Sequence, residues 1–182
     1  MGKIYCVMGK SSSGKDTVYK KLKEQYKEFR LIVPYTTRPI REGEKDGVEY
    51  YFVDPEQFRA MKEDGKVIES RSYNTKCGIW TYFTADDGQI DLSAADYLLI
   101  GTLVSYQALR EYFGEEAIVP VYLEVEDGLR LARALERERR QEKPKYAECA
   151  AVFLRTRRTF RKKILSKAGL QSGLAMKISQ SV

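Results

Sequence analysis

Gly9-Lys-Ser-Ser-Ser-Gly14-Lys15 constrains this chain more than any other stretch. It fits G-x-x-x-x-G-K, follows the apolar run Lys3 to Met8, and precedes a segment in which Val18, Leu22 and Tyr26 recur at i, i+4 and i+8. A glycine-rich turn between a buried parallel strand and an amphipathic helix is the context this motif needs. Its glycines let consecutive N–H groups point inward, and the helix N-terminus adds partial positive charge, so the loop is predicted to cradle phosphates. Gly9, Ser11, Ser12, Ser13, Gly14, Lys15, Asp16 and Thr17 are the candidate contacts, with Lys15 bridging β- and γ-phosphates. The position after the lysine, where a Ser or Thr normally ligates Mg²⁺, holds Asp16. Its carboxylate is the candidate metal ligand, with Thr17 supporting the α-phosphate.

The rest of the chain reads as alternating strands and helices. Strands are expected over Leu31 to Tyr35, Tyr50 to Val53, Val67 to Tyr73, Tyr97 to Gly101 and Ala117 to Leu123, with the aromatic, alternating Gly78 to Thr84 between. Helices are expected from Gly14 to about Phe29, over Pro55 to Asp64, after Gly101 to about Phe113, and over Asp127 to Gln141, where Lys143-Pro144-Lys145 breaks the pattern before a further helix. This order predicts a single α/β domain over residues 1–182: a doubly wound parallel sheet of the P-loop kind, with a small inserted subdomain over 34–84 and a helical lid region over 126–148.

Composition removes several chemistries. There is no histidine among 182 residues, which excludes His-based triads and His metal sites. Phosphoryl transfer loses little by this, because it depends on positioning and charge neutralisation. No run approaches the ~18 apolar residues of a membrane span. Three cysteines without metal or redox spacing point to a reducing cytoplasm. The net charge of +6 suggests nucleic acid, yet all 26 acidic residues precede Cys149, while 8 of the 32 Lys and Arg follow it. The whole excess therefore lies in residues 149–182, and nucleic acid is not the expected partner.

Two arginines three residues apart, Arg38 and Arg41, sit on a glycine-punctuated loop followed by Tyr50, and can grip a phosphate dianion from several sides. The full run Thr36-Thr37-Arg38-Pro39-Ile40-Arg41-Glu42-Gly43-Glu44, then Gly47, Tyr50 and Phe52, resembles the guanylate kinase family, and the resemblance extends over about residues 1–148. It implies an acceptor site in which Arg38, Arg41, Tyr50 and Tyr82 hold the GMP phosphate. Glu69, in Val67-Ile68-Glu69, would take guanine N1 and N2, and Thr84 and Thr102 could reach the base. It implies a lid in which Arg133 and Arg137 close over the transferring group, although Glu136, Glu138 and Glu142 could instead neutralise them on a solvated helix face. The implied reaction passes the γ-phosphoryl group of ATP, with Mg²⁺, to GMP or dGMP.

Several positions depart from the family pattern. Pro34 replaces a small polar residue, and Leu99-Ile100-Gly101-Thr102 replaces Leu-Asp-Ile-Asp at a strand end. After Glu148 the resemblance stops: the expected further lid arginine is Ala151-Val152, and no terminal strand with an Asn-Asp-Asp-Leu-like segment is recognisable. Codons compatible with Cys149 to Val182, read one base out of phase, can restore two arginines, acidic character and an Asn-x-Asp-Leu ending. A one-base frameshift therefore accounts for this basic tail. The alternatives to a guanylate kinase are a related P-loop kinase for a sugar phosphate such as ribose bisphosphate, which shares Gly-Lys-Asp, a non-catalytic guanylate-kinase-like binding domain, and a basic nucleic-acid binder resting on the tail alone.

Overall fold

The computed structural model describes residues 1–75, 78–167, 170 and 175–177. The chain divides into two compact units. The first comprises Met1–Ile4, Glu28–Leu99 and Val104–Ile118; the second comprises Tyr5–Lys27, Ile100–Leu103 and Val119–Val182.

In the second unit, strand β1 (Ile4–Gly9) is apolar on both faces, with Cys6, Val7 and Met8 buried, as a strand inside a covered parallel sheet must be. The loop that follows delivers the chain into helix α1 (Lys15–Gln25), capped by Gly14 at φ 86°. Only glycine adopts that left-handed conformation without steric cost. α1 ends at Gln25 rather than near Phe29, and Tyr26 N–H closes the last turn on Leu22 O at 2.8 Å.

Strand β8 (Ile118–Glu124) pairs in parallel with β9 (Ala175–Lys177). This corrects the expectation that no terminal strand follows the lid. Helix α4 (Asp127–Arg139) starts where the Glu126 carboxylate accepts the N–H groups of Gly128 and Leu129, both at 2.8 Å. Helices α5 (Tyr146–Thr159) and α6 (Lys162–Lys167) follow. The tail contributes to the packing here, because Phe153, Phe160 and Leu165 are buried and Phe160 stacks on Tyr122 with ring centroids 5.4 Å apart.

In the first unit, β2 (Arg30–Leu31) pairs in parallel with β7 (Tyr97–Ile100), whose Tyr97, Leu98 and Leu99 are buried. A separate four-stranded sheet has the order β4-β3-β6-β5. Its strands are β3 (Tyr35–Thr36), β4 (Tyr51–Phe52), β5 (Val67–Thr75) and β6 (Gly78–Ala85). The single strand expected over Leu31 to Tyr35 is thus two strands in two sheets. Pro34 has no N–H for a ladder and offers only its carbonyl, to Tyr51 N–H at 2.9 Å, so the chain changes sheets there.

Helix α2 (Pro55–Glu63) opens with a full capping box: Asp54 Oδ1 accepts from Glu56 and Gln57 N–H, and Gln57 Oε1 accepts from Asp54 N–H. Phe83 is the core of this sheet, fully buried against Tyr35 at 4.9 Å and Phe58 at 4.8 Å. Helix α3 (Leu103–Phe113) completes the set. The protein is therefore an α/β fold with parallel strand pairs and helices, as the alternating sequence pattern requires. No described helix is long and apolar enough to cross a membrane.

Candidate active site

Gly9 to Thr17, Thr102, Arg133 and Arg137 lie in the second unit; Arg38, Arg41, Tyr50, Glu69, Tyr82 and Thr84 lie in the first. In the second unit the glycine-rich turn is tight. A Cβ on Gly9 would meet Ser13 Oγ at 2.5 Å and Leu123 O at 3.2 Å, so any larger residue would force the turn to shift. Ser13 N–H donates to Lys10 O at 3.1 Å, and Ser12 holds φ 60° without being glycine. Strain of that kind persists where a ligand clamp is over-determined by its surroundings. The hydroxyl oxygens of Ser12 and Ser13 are buried and have no hydrogen-bond partner among the described residues. Polar atoms left in this state are costly unless a ligand or water meets them. Lys15 Nζ lies 3.2 Å from Asp16 Oδ2, and the Asp16 side chain is 74% exposed. Thr17 is exposed, and Thr102 is half-buried just before α3. Among the described residues there is no cluster of three or more His, Cys, Asp or Glu that could hold a metal by itself.

Beneath this turn lies a network the sequence does not reveal. Arg130 is fully buried; its Nη1 donates to Ser11 O at 2.7 Å and its Nη2 to Asp127 Oδ1 at 2.7 Å, while its guanidinium stacks on Phe153 at 4.5 Å. Asp127 also takes Lys10 Nζ at 3.1 Å and Arg157 Nε at 3.0 Å. Burial raises its carboxyl pKa, and the hydrogen bonds from Arg130 and Lys10 outweigh that and hold it below the usual range. The turn is thereby fixed from below, and Thr156 Oγ1 accepts from Ser11 N–H at 3.2 Å. The only sequence signal for Arg130 is position: Arg130, Ala134 and Glu138 form the buried i, i+4, i+8 stripe of α4. Charged residues in that stripe are invisible to a search for apolar periodicity.

Arg133 and Arg137 are exposed on α4. Two of the three carboxylates that could neutralise them, Glu136 and Glu138, are engaged elsewhere. Glu136 pairs with Arg140 at 3.0 Å, and Glu138 accepts Lys145 N–H at 2.6 Å. Neither arginine has an ion pair among the described residues.

In the first unit the predicted acceptor residues converge. Arg38 is buried, and its fork donates to both oxygens of Glu44, Nη1 to Oε2 at 2.7 Å and Nη2 to Oε1 at 2.6 Å. Its guanidinium carbon lies 5.2 Å from the Tyr50 ring centroid and 5.3 Å from that of Phe52. Glu44 also accepts the backbone N–H of Arg41 at 2.9 Å, so one carboxylate holds the Arg38 guanidinium and the Arg41 main chain. Tyr50 and Tyr82 meet edge to face at 5.7 Å. The β5–β6 register sets Arg71 opposite Tyr82 and Glu69 opposite Thr84. Glu69 is buried, and Thr84 Oγ1 donates to its Oε1 at 3.0 Å. Arg71, absent from the sequence expectations, forks onto the same carboxylate, Nε to Oε2 at 3.0 Å and Nη2 to Oε1 at 3.2 Å. Two-residue alternation puts Glu69 and Arg71 on one face of β5, and that is the signal that could have found it.

The Arg38–Glu44 pair makes stability pH-dependent. The hydrogen bond from Arg38 lowers the Glu44 carboxyl from 4.5 to about 2. A depressed folded-state value contributes stability that is complete above the unfolded value and disappears as pH falls through the folded one. Urea midpoints stepped from pH 5 to pH 2 are expected to fall across the 4.5-to-2 window, and Glu44→Gln to flatten that slope. An unchanged slope in Glu44→Gln would assign the acid sensitivity to other carboxylates.

Comparison with known proteins places this geometry. The guanylate kinase family model matches residues 1–78. A guanylate kinase from Legionella pneumophila (strain Lens) is 47% identical over 68 residues, 37% of this chain and 32% of that protein. One from Corynebacterium diphtheriae is 39% identical over 69 residues, 38% of this chain and 36% of that protein. The matched segment spans about a third of these curated relatives. The crystal structure of guanylate kinase from Anaplasma phagocytophilum superposes with a TM-score of 0.57 at 23% identity, covering 92% of this chain and 81% of that one, a likeness of fold. Over its first 78 residues the chain is therefore similar to the guanylate kinase family.

Proposed function

We propose that this protein transfers the γ-phosphoryl group of ATP to GMP or dGMP, giving ADP and GDP or dGDP. The observation that supports the reading is the arrangement in the first unit, where Arg38 lies over Tyr50, Tyr50 meets Tyr82, and Thr84 bonds Glu69 across the β5–β6 register; Arg38, Tyr50 and Tyr82, with Arg41, would take the phosphate and Glu69 with Thr84 the base. The buried hydroxyls of Ser12 and Ser13, without a partner among the described residues, and the left-handed Gly14 cap support a triphosphate on the Gly9–Thr17 turn, with Lys15 as its cation. No protein general base is needed, because the acceptor is already an anionic phosphate oxygen. Arg133 and Arg137, exposed and without an ion pair among the described residues, are the cations that would neutralise charge on the equatorial oxygens.

Mg²⁺ fits this donor site in one respect. It is ordinarily held by one or two carboxylates together with substrate phosphates, and Asp16 supplies one exposed carboxylate beside Lys15. Bound there, Mg²⁺ would neutralise phosphate charge.

A sugar-phosphate acceptor is disfavoured by the polar Glu69–Thr84 end, which suits a heterocyclic base. A purely binding role is disfavoured by the retained Gly14-Lys15. A coupled ADP-release assay across GMP, dGMP, AMP, UMP and CMP tests the proposal: turnover is expected with GMP and dGMP, and none with any acceptor would sink it. Cytoplasmic location accords with this role. For residues 149–182 the one-base frameshift remains our reading, and in-frame codons with no missing base in the gene would end it.

A further inference from the structure

Glu69 is more heavily engaged than a carboxylate waiting for a base. An ionised carboxylate has about four acceptor sites. Thr84 and Arg71 Nη2 fill both on Oε1, and Arg71 Nε fills one on Oε2. Guanine N1–H and N2–H together require both oxygens. Only Oε2 retains capacity, so that paired grip needs a bond to Arg71 or Thr84 to break.

The ion pair instead offers an acceptor beside a donor. The order in which a base meets them is set by the strand register. Arg71 lies opposite Tyr82, and Tyr82 packs edge to face on Tyr50, the ring that Arg38 covers. Glu69 lies two pairs further from that phosphate end, on the same face and opposite Thr84. A purine anchored by its phosphate therefore brings its N7/O6 edge to Arg71 and its N1 position to Glu69. Arginine facing O6 and N7 is the commonest specific contact to guanine in nucleic-acid recognition, for reasons of geometry alone. Arg71 keeps 18% of its side chain open and Glu69 3%, so the arginine is the more accessible member.

We propose that Arg71 is a specificity-determining residue, and that the Arg71–Glu69 pair reads the N1–H/C6=O edge of a 6-oxopurine. The acceptor class is then 6-oxopurine nucleoside monophosphates, with the 2-amino group of guanine not required. Hypoxanthine presents the same edge. Adenine sets an N1 lone pair against the carboxylate and an N6–H donor against the guanidinium, and such mismatches are penalised steeply in a site built of buried polar groups.

This inference rests on the acceptor reading above, and the two can fail separately. Equilibrium titrations of the full chain with GMP, IMP and AMP are expected to show IMP within about tenfold of GMP and AMP weaker than IMP by more than about tenfold. Arg71→Ala is expected to weaken GMP and IMP together, by about tenfold or more. Arg71→Lys keeps the charge beside Glu69 but lacks the fork, so it is expected to preserve the fold and shrink the IMP-to-AMP ratio. GMP binding with IMP more than tenfold weaker would overturn the inference and leave the acceptor reading standing. So would AMP binding as well as IMP, or an unchanged ratio in a folded Arg71→Lys. Binding of neither GMP nor IMP would overturn both.

Discussion

Lys15→Met is expected to lower kcat for phosphoryl transfer by about 10³-fold or more, with no measurable change in the urea midpoint. The two halves of that expectation have different physical origins. Among the described residues Lys15 pairs with its neighbour Asp16, whose side chain is 74% exposed. An ion pair so open to solvent contributes about 0–1 kcal/mol, so its loss hardly registers in stability. The turn itself is held by other groups: the Gly9 close approach, the Ser13–Lys10 hydrogen bond and the Arg130–Ser11 bond. What the methionine removes is the cation that would follow negative charge as the γ-phosphoryl group moves. Single cationic donors of this kind are worth about 10³–10⁵-fold in comparable phosphoryl-transfer sites. If kcat falls less than about tenfold while ATP still binds, this turn is not the donor site.

The strand–turn–helix unit at the N-terminus was legible because it rests on backbone chemistry. An apolar run, glycines at two fixed positions and an amphipathic segment leave one local solution, and residues 4–25 adopt it. The split of Leu31 to Tyr35 into two sheets was not read. Hydrophobicity there is continuous, and only the missing N–H of Pro34 signals the break. The tail shows the same limit from the other side. Residues 149–182 lack any acidic residue and resemble nothing upstream, yet Phe153, Phe160 and Leu165 are buried, because apolar spacing suffices to place a helix even in an unrecognised sequence.

Within the candidate site, the residues the sequence singles out are those whose type alone announces chemistry. Arg38, Arg41 and Tyr50 form a motif, and the structure gathers Arg38 and Tyr50 with Tyr82 on one surface. The residues that hold them were not read. Glu44 lay inside the motif, but its fork onto Arg38 depends on a loop conformation set by Gly43 and Gly47, both at positive φ. Arg130 and Arg71 act through partners 119 and 2 residues away in the chain, and neither distance is marked by composition. Supporting charges of this kind become visible only when burial is known.

The Arg38–Glu44 pair carries the second large effect. Arg38→Met is expected to raise the acceptor KM by about a hundredfold and to lower stability by about 3 kcal/mol. The stability loss comes from what remains behind. Glu44 is left with an 18% exposed side chain and loses both fork bonds, so its charge is poorly solvated and poorly paired. That penalty belongs to the orphaned partner, so the double variant Arg38→Met with Glu44→Gln is expected to recover most of the stability and none of the acceptor affinity. Glu44→Gln alone gives the complementary result. It keeps a polar neighbour for the guanidinium, so the fold survives, but Arg38 loses the carboxylate that orders its fork, and KM should rise less than in Arg38→Met. If the double variant is as unstable as Arg38→Met, packing against Tyr50 and Phe52 holds Arg38 in the fold rather than the carboxylate. If acceptor KM is unmoved in Arg38→Met, this arginine belongs to the scaffold of the loop, and the phosphate must be gripped elsewhere.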